Sequence, residues 1–496
     1  MIRLTSWNRA AVRFLDPPRF AWEPVDGAAS YLVRWAPGVE AARQATAREP
    51  SFDFAPHWPT LPVGGAVAWV VLALDDGGRP IDQTAIRTFR RAPDFDGELE
   101  PPADWRASAL RNLDWLLGRP EVGGDPVYLR SSAEGRYDRA GEHQHPVAYP
   151  ALHHPSYINL FLAAGEAAPD RRPHLHALAR RVGDWLLDHQ LPDAGACPRF
   201  PPSTWVSGSW PVGTPVVESS ALTLFRAARV GESMLALHRA LGEPAFLDYA
   251  LHLARTFVRL QRPDGSWPYR LNPTSGEVVE EYTAAALCVG SFLDAAADWR
   301  PDSGFREAAG RALGWTLENP ARTNRWQGMY EDVPATAPFE NLENWSAIEA
   351  IVYLCRHADG HPGHLEVAGA INRYVEDQFV VFGPQESHLA VQTVYPAVLE
   401  QYVCYWPMEA HTGNWLRALT ALHRATGDEQ YRRKGLRAAN AIVRMQAPDG
   451  RYATWGIDWR LGAHANPAMA DWYGCNAVAA TELLRWDRYA REAALV

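Results

Sequence analysis

Gln261-Arg262-Pro263-Asp264-Gly265-Ser266-Trp267 ends the amphipathic stretch Leu251–Gln261. The same punctuation returns at Gln446-Ala447-Pro448-Asp449-Gly450-Arg451-Tyr452, after Leu436–Gln446. Glycine adopts the left-handed backbone of such a turn without steric cost, and Asp can hold a following backbone N–H. Each stretch therefore reads as a helix stopped by a turn that carries an aromatic residue. Looser copies lie between them and before them. Leu178–Gln190 runs into Leu191-Pro192-Asp193-Ala194-Gly195, Ala308–Glu318 into Asn319-Pro320-Ala321, and Ile371–Gln378 into Phe379–Gly383. Leu110–Leu117, with Gly118 and Pro120, is the first copy.

A second kind of helix alternates with these. It opens on a polar residue followed by small ones, at Ser156, Glu218, Glu281, Asn344, His411 and Tyr473. The intervals are 62, 63, 63, 67 and 62 residues, the length of a helical pair with its turns. Six units in register imply a repeat architecture in which each pair buries its apolar face on the next. The helices rich in small and apolar residues, such as Ala221–Phe225 and Ala284–Cys288, suit an inner ring. The more charged ones suit an outer ring with one apolar stripe. The expectation is an (α/α)6 toroid over residues 104–496.

Residues 1–95 have a different period. Phe20–Val25, Tyr31–Trp35 and Val67–Ala73 alternate or run apolar in short blocks, separated by Asp26-Gly27, Pro37-Gly38 and Asp75–Gly78. This is the pattern of a small antiparallel β-sandwich. Trp22–Tyr31 and Ala68–Gly78 resemble strand and turn patterns of a fibronectin type III domain, which implies a packing or linker module and no chemistry of its own. Pro93, Asp94, Gly97, Pro101 and Pro102 mark residues 96–103 as the linker. In the helical part, Gln261–Trp267 resembles the Q-x-x-x-G-x-W turn of the squalene-cyclase group. Similar Asp-Gly-aromatic turns occur in the six-hairpin glycosidases and the toroidal polysaccharide lyases. The D-x-D-D acid motif is absent, which disfavours terpenoid cyclisation.

Composition narrows the function. A net charge of −10 argues against nucleic acid as partner. The one lysine, Lys434, sits in Tyr431-Arg432-Arg433-Lys434 and reads as solvated surface, so Schiff-base chemistry is not expected. No phosphate-loop motif is present, and the five cysteines lack C-x-x-C spacing, so neither a disulfide framework nor a zinc site is expected. No signal-peptide core and no 18-residue apolar run appear, so the expectation is a cytoplasmic protein without a membrane span. The abundance of Ala, Pro, Gly and Arg fits a GC-rich coding sequence, as in many bacteria.

The N-termini of six inner helices converge on one end of a ring, where free N–H groups favour anions and developing negative charge. The residues expected there are acidic and aromatic, the mixture that binds sugars by stacking and hydrogen bonding. Hydrolysis of a glycosidic bond needs two carboxylates of different protonation, and Glu281 with Glu409 is the first choice, with Glu218 as a further candidate. Proton abstraction from a uronate, leading to β-elimination or C5 epimerisation, is the second reading, with Tyr282 or His411 as base. Tyr157, His153, His154, Arg270, Asn344, Trp345, Tyr405, Trp406, Asp471, Trp472 and Tyr473 are the expected substrate contacts. Each carboxylate also has a plainer role as a helix cap, and each aromatic as core. The Pro-broken stretch Glu142–Tyr157, with His143, His145, His153 and His154, reads as a loop before the first inner helix that contacts substrate rather than metal. A glycan-binding protein without catalysis is the third reading. No cofactor is expected.

Overall fold

The computed structural model describes residues 1–5, 13–92, 101–122, 124–131, 147–206, 221–328, 338–339, 341–361, 363–382, 394–401, 407–454 and 472–493. Eight strands come first: β1 (Arg13–Phe14), β2 (Arg19–Ala21), β3 (Ser30–Pro37), β4 (Arg43–Ala47), β5 (Ser51–Asp53), β6 (Ala66–Leu74), β7 (Pro80–Gln83) and β8 (Arg87–Arg91). One sheet has the order β1-β8-β6-β3-β4, with β7 also on β6, and β2 pairs with β5 in a second. Alternation does the sorting. In β6 every second residue, Val67, Trp69, Val71 and Ala73, is buried. From the other sheet Phe20 stacks on Trp69 at 4.4 Å, so the two inner faces share one aromatic core.

Among the described residues twelve α-helices follow. The inner ones are α2 (Pro150–Ala167), α4 (Leu224–Leu241), α6 (Ala286–Ala297), α8 (Trp345–Arg356), α10 (Glu409–Thr426) and α12 (Tyr473–Glu492). The outer ones are α1 (Trp105–Leu117), α3 (Arg172–Asp188), α5 (Pro244–Leu260), α7 (Phe305–Thr316), α9 (Gly363–Phe379) and α11 (Glu429–Arg444). Each inner helix packs on the next, and α12 packs on α2, which closes the ring. The first outer helix, α1, pairs with the last inner one, so the ring is completed by the two ends of the helical part. α6 is apolar on nearly every side, as an inner helix must be, whereas α11 has one apolar stripe and faces outward.

The repeated turn explains how neighbouring pairs are held. Gln261 Nε2 donates to Gly265 O at 3.0 Å and to Ala308 O of α7 at 2.8 Å. Gln446 Nε2 donates in the same way to Gly450 O and to Ser108 O of α1, both at 2.8 Å. Arg311 and Arg111 donate to the two glutamine carbonyls from those same helices. Gly265 (φ 94°) and Gly450 (φ 103°) lie flat against the neighbouring outer helix. A Cβ would come within 2.3 Å of Arg311 O at the first and 2.5 Å of Arg111 O at the second. The motif thus needs Gln to bridge two backbones and Gly to let them touch.

Three expectations are corrected. Lys434 is buried, not solvated: Nζ donates to Glu376 Oε2 at 2.6 Å and to Asp16 Oδ2 at 2.7 Å, tying α11 and α9 to the segment between β1 and β2. Amphipathic periodicity placed it on a charged helix face, and that face is covered by the β unit. Removing one partner of a buried ion pair leaves a charge without compensation. Lys434→Met is therefore expected to cost about 3–5 kcal/mol in denaturant unfolding, and adding Glu376→Gln to recover part of it. Equal stability of Lys434→Met and the parent would contradict this. The second correction concerns the start of α2. Residues 150–157 are helical, with Pro150 in the first turn and Pro155 inside, so His153 and His154 are helix residues and not loop residues. Pro150, at the first helical position, supplies a helical φ where no N–H donor is needed, whereas Pro155 forgoes the hydrogen bond to Ala151 O. Third, the polar register points are not equivalent helix positions. Ser156 lies six residues inside α2, whereas Glu281 lies five residues before α6.

Candidate active site at the N-terminal mouth of the ring

Where the inner helices begin, α2, α4, α8, α10 and α12 enclose a cavity of about 70 Å³. His153, Arg229, Trp345, Glu400, His411, Asn414 and Trp472 are among its walls. Its chemistry is set by two histidines. His411, in the first turn of α10, is 6% exposed, and its Nδ1 lies 2.9 Å from Asn344 Oδ1. The side-chain amide of Asn344 is already committed, with Nδ2 donating to Leu399 O at 2.6 Å and Glu400 O at 2.9 Å. Oδ1 therefore accepts from His411, the proton sits on Nδ1, and the lone pair is on Nε2. Among the described residues Nε2 has no hydrogen-bond partner. Burial holds the His411 pKa down to about 4, so the ring is neutral near pH 7.

His153, on α2, is held in the same state more strongly. Burial, with Arg226 and Arg229 nearby, lowers its pKa to about 3. Its ring rests on the first turn of α12, where Gly474 has no side chain. A Cβ there would lie 2.4 Å from the imidazole. Arg229 lies over the Trp345 ring at 5.2 Å. Two neutral imidazoles beside a guanidinium can accept a proton and stabilise a developing negative charge.

The other expected residues are placed as follows. Glu281 is at the rim, its side chain 73% exposed and paired with Arg262 of the turn after α5. The strand Val278–Glu280 pairs with Arg270–Leu271 and carries Glu281 outward, so it does not line the cavity. Glu409 is fully buried in the first turn of α10, with Oε1 accepting from Asn476 Nδ2 at 3.2 Å and Thr454 Oγ at 3.5 Å. It too lies outside the cavity walls, so the structure does not set these two carboxylates across a common space. Tyr282 donates to Arg325 O at 2.9 Å beneath the Arg325 guanidinium, and burial raises its pKa. Arg270 is buried and ion-paired with Glu280 at 3.0 Å. Tyr157 packs on Tyr128, His154 on Trp185 and Tyr473 on Trp115, so these three face the layer between inner and outer helices. Trp345, Trp472 and His153 do line the cavity, and Asn344 orients His411. Glu218, Tyr405, Trp406, Asp471, His143 and His145 lie outside the described residues.

Sequence reasoning missed Arg229, Asn414 and Glu400. Asn414 carried a signal, since it is one turn from His411 on the same helix face. Arg229 is one of four charged residues in α4, with Arg226, Glu232 and Arg239, so its charge alone did not mark it. Glu400 follows the strand Ala397–Leu399, and nothing in the local sequence marks it.

Glu343 caps α8, with its carboxylate accepting from Ser346 N at 3.0 Å. Burial raises its pKa to about 7, partly offset by that bond. The folded pKa lies above the unfolded value of 4.5, so the stability it contributes is present at low pH and is lost as pH rises through 7. Glu343→Gln keeps an acceptor without the charge. Relative to the parent, its stability is expected to rise by on the order of 3 kcal/mol between pH 5 and pH 8. A pH-independent difference in denaturation midpoints would show that Glu343 ionises freely.

Among the described residues no three His, Cys, Asp or Glu side chains converge as a metal site requires, and no helix is long and apolar enough to cross a membrane. No protein-family model matches the sequence, and no curated protein matches it. Solved structures do match in shape. A family 76 glycoside hydrolase from a bovine Bacteroides thetaiotaomicron strain is similar at 8% identity, over 99% of this chain and 98% of that one, with a TM-score of 0.54. The cellobiose 2-epimerase of Spirochaeta thermophila is similar at 13% identity, over 78% and 97%, with a TM-score of 0.56. An unsaturated glucuronyl hydrolase specific for heparin is similar at 11% identity, over 79% and 98%, with a TM-score of 0.51. The helical part of this chain therefore shares the (α/α)6 toroid fold of these three structures.

Proposed function

We propose that this protein is a carbohydrate-active enzyme that moves a proton at a sugar carbon, as an epimerase or lyase, with His411 as the base. The observation that carries the reading is the locked tautomer. Asn344 turns the unprotonated Nε2 of a neutral imidazole toward a cavity that also holds Arg229. Removal of a proton beside a carbonyl or carboxylate builds negative charge on oxygen, and Arg229 is the group that stabilises it. His153, on the facing helix, is the second neutral imidazole, suited to return or relay the proton. Trp345 and Trp472 offer aromatic faces for a pyranose. A space of about 70 Å³ takes roughly two water-sized groups, so it receives the reacting end of a substrate and not the whole sugar. An acidic sugar, a uronate or its oligosaccharide, suits Arg229 best.

Hydrolysis remains the second reading because one carboxylate, Glu400, is on the cavity wall, but the described walls do not supply its partner. An oligosaccharide panel followed at 235 nm and by reducing ends separates the two. Elimination gives rising ultraviolet absorbance, and epimerisation gives a changed sugar with neither signal. New reducing ends without absorbance would overturn the proposal in favour of hydrolysis.

A further inference from the structure

The opposite mouth of the ring, where α2, α4 and α12 end, holds a concave space of about 680 Å³. Its walls carry six arginines, Arg106, Arg172, Arg239, Arg485, Arg488 and Arg491, against two carboxylates, Glu166 and Asp487. We propose that this mouth is a second site, which binds a small anion bearing two or more phosphate-like charges.

The usual structural duties do not use up this charge. Arg488 pairs with Glu166, Arg491 with Asp487 at 3.0 Å, and Arg485 with Glu482 beneath it at 2.6 Å. Arg106 donates to Ala167 O, and Arg172 donates to Gly165 O at 3.0 Å, where they satisfy carbonyls at the end of α2. Arg239 has neither an acidic partner nor a hydrogen bond among the described residues. Three guanidinium charges are thus left without a carboxylate among the described residues. Three helix C-termini supply roughly 1.5 negative charges, and the N-termini of α1 and α3 at the same mouth counter part of that. A positive excess therefore remains, in a chain whose net charge is −10.

The walls also say what kind of anion fits. Among the described residues the one ring on these walls is the imidazole of His176, and no Trp, Tyr or Phe face is offered to a base or a sugar. Guanidinium groups bind phosphate oxygens in pairs, and several on one concave wall favour a compact, multiply charged ligand. A long polyanion would meet the negative remainder of the surface.

The test is titration calorimetry of the full chain at low salt, with inorganic pyrophosphate in one arm and fructose 1,6-bisphosphate in the other. Binding in either arm, weakened about tenfold or more in Arg172→Glu/Arg239→Glu and by added salt, is the expected result. The arm that binds tells whether the phosphates come free or on a sugar. Both residues are exposed, and Arg239→Ala is the milder variant should the double substitution unfold. Absence of binding in both arms at millimolar ligand, or binding unaffected by these substitutions, would overturn the proposal. Because neither readout uses turnover, the result is independent of the reaction proposed at the other mouth.

Discussion

His411→Gln is expected to lower kcat by about 10²–10⁴ with little change in Tm, because it removes the proton acceptor while keeping a polar side chain of similar reach. The expectation follows from the position of His411 on the cavity wall and from the absence of another described role for its Nε2. Asn344 acts one step back, as a positioning residue. Asn344→Ala frees the imidazole to change tautomer, so a loss smaller than that of His411→Gln is expected, and it falls on kcat rather than on KM. Asn344→Asp is the more diagnostic change. A carboxylate on Nδ1 favours the imidazolium, so the pKa of about 4 is expected to move upward. In the parent, kcat/KM is expected to stay level down to about pH 5 and to fall near pH 4 as His411 gains a proton. In Asn344→Asp that acid limb begins at higher pH. An unmoved limb would remove His411 from the titrating role. Full activity of His411→Gln would remove it from the mechanism.

Gly450→Ala is expected to destabilise the protein by about 3 kcal/mol, the sum of a left-handed backbone in a residue with a Cβ and a backbone contact that must open. The contact is with Arg111 O of α1, the helix that completes the ring. The loss should therefore be local before it is global. Amide hydrogen exchange of Trp105–Leu117 is expected to quicken in Gly450→Ala. In Gly265→Ala, the equivalent change against Arg311, the quickened amides should be those of α7. Unchanged protection of α1 and α7 would mean that the turns do not hold neighbouring pairs together.

These two glycines also show what could be read from the chain alone. An Asp-Gly turn is a local necessity, so the turns and the helices they end were visible, and with them the ring. Which way a helix faces is not local. Arg229 and Asn414 face the axis only because five helices converge there, and a single helix's period cannot report that. Glu281 misled for a related reason. It precedes a run of small residues and so resembles a helix start, but the strand Val278–Glu280 carries it to the rim. Lys434 looked solvated because its cover comes from residues more than 400 positions earlier in the chain. His411 and Asn344 were readable as polar helix starts 67 residues apart. That one fixes the proton of the other required the fold.

The central claim is that a carbon-bound proton is removed at the N-terminal mouth. Turnover of the saccharide panel in D2O, followed by proton nuclear magnetic resonance, tests it most directly. In the parent a sugar C–H is expected either to exchange for deuterium, in epimerisation, or to disappear as an unsaturated product forms, in elimination, and in His411→Gln neither is expected. Cleavage to new reducing ends with every carbon-bound proton retained would contradict it.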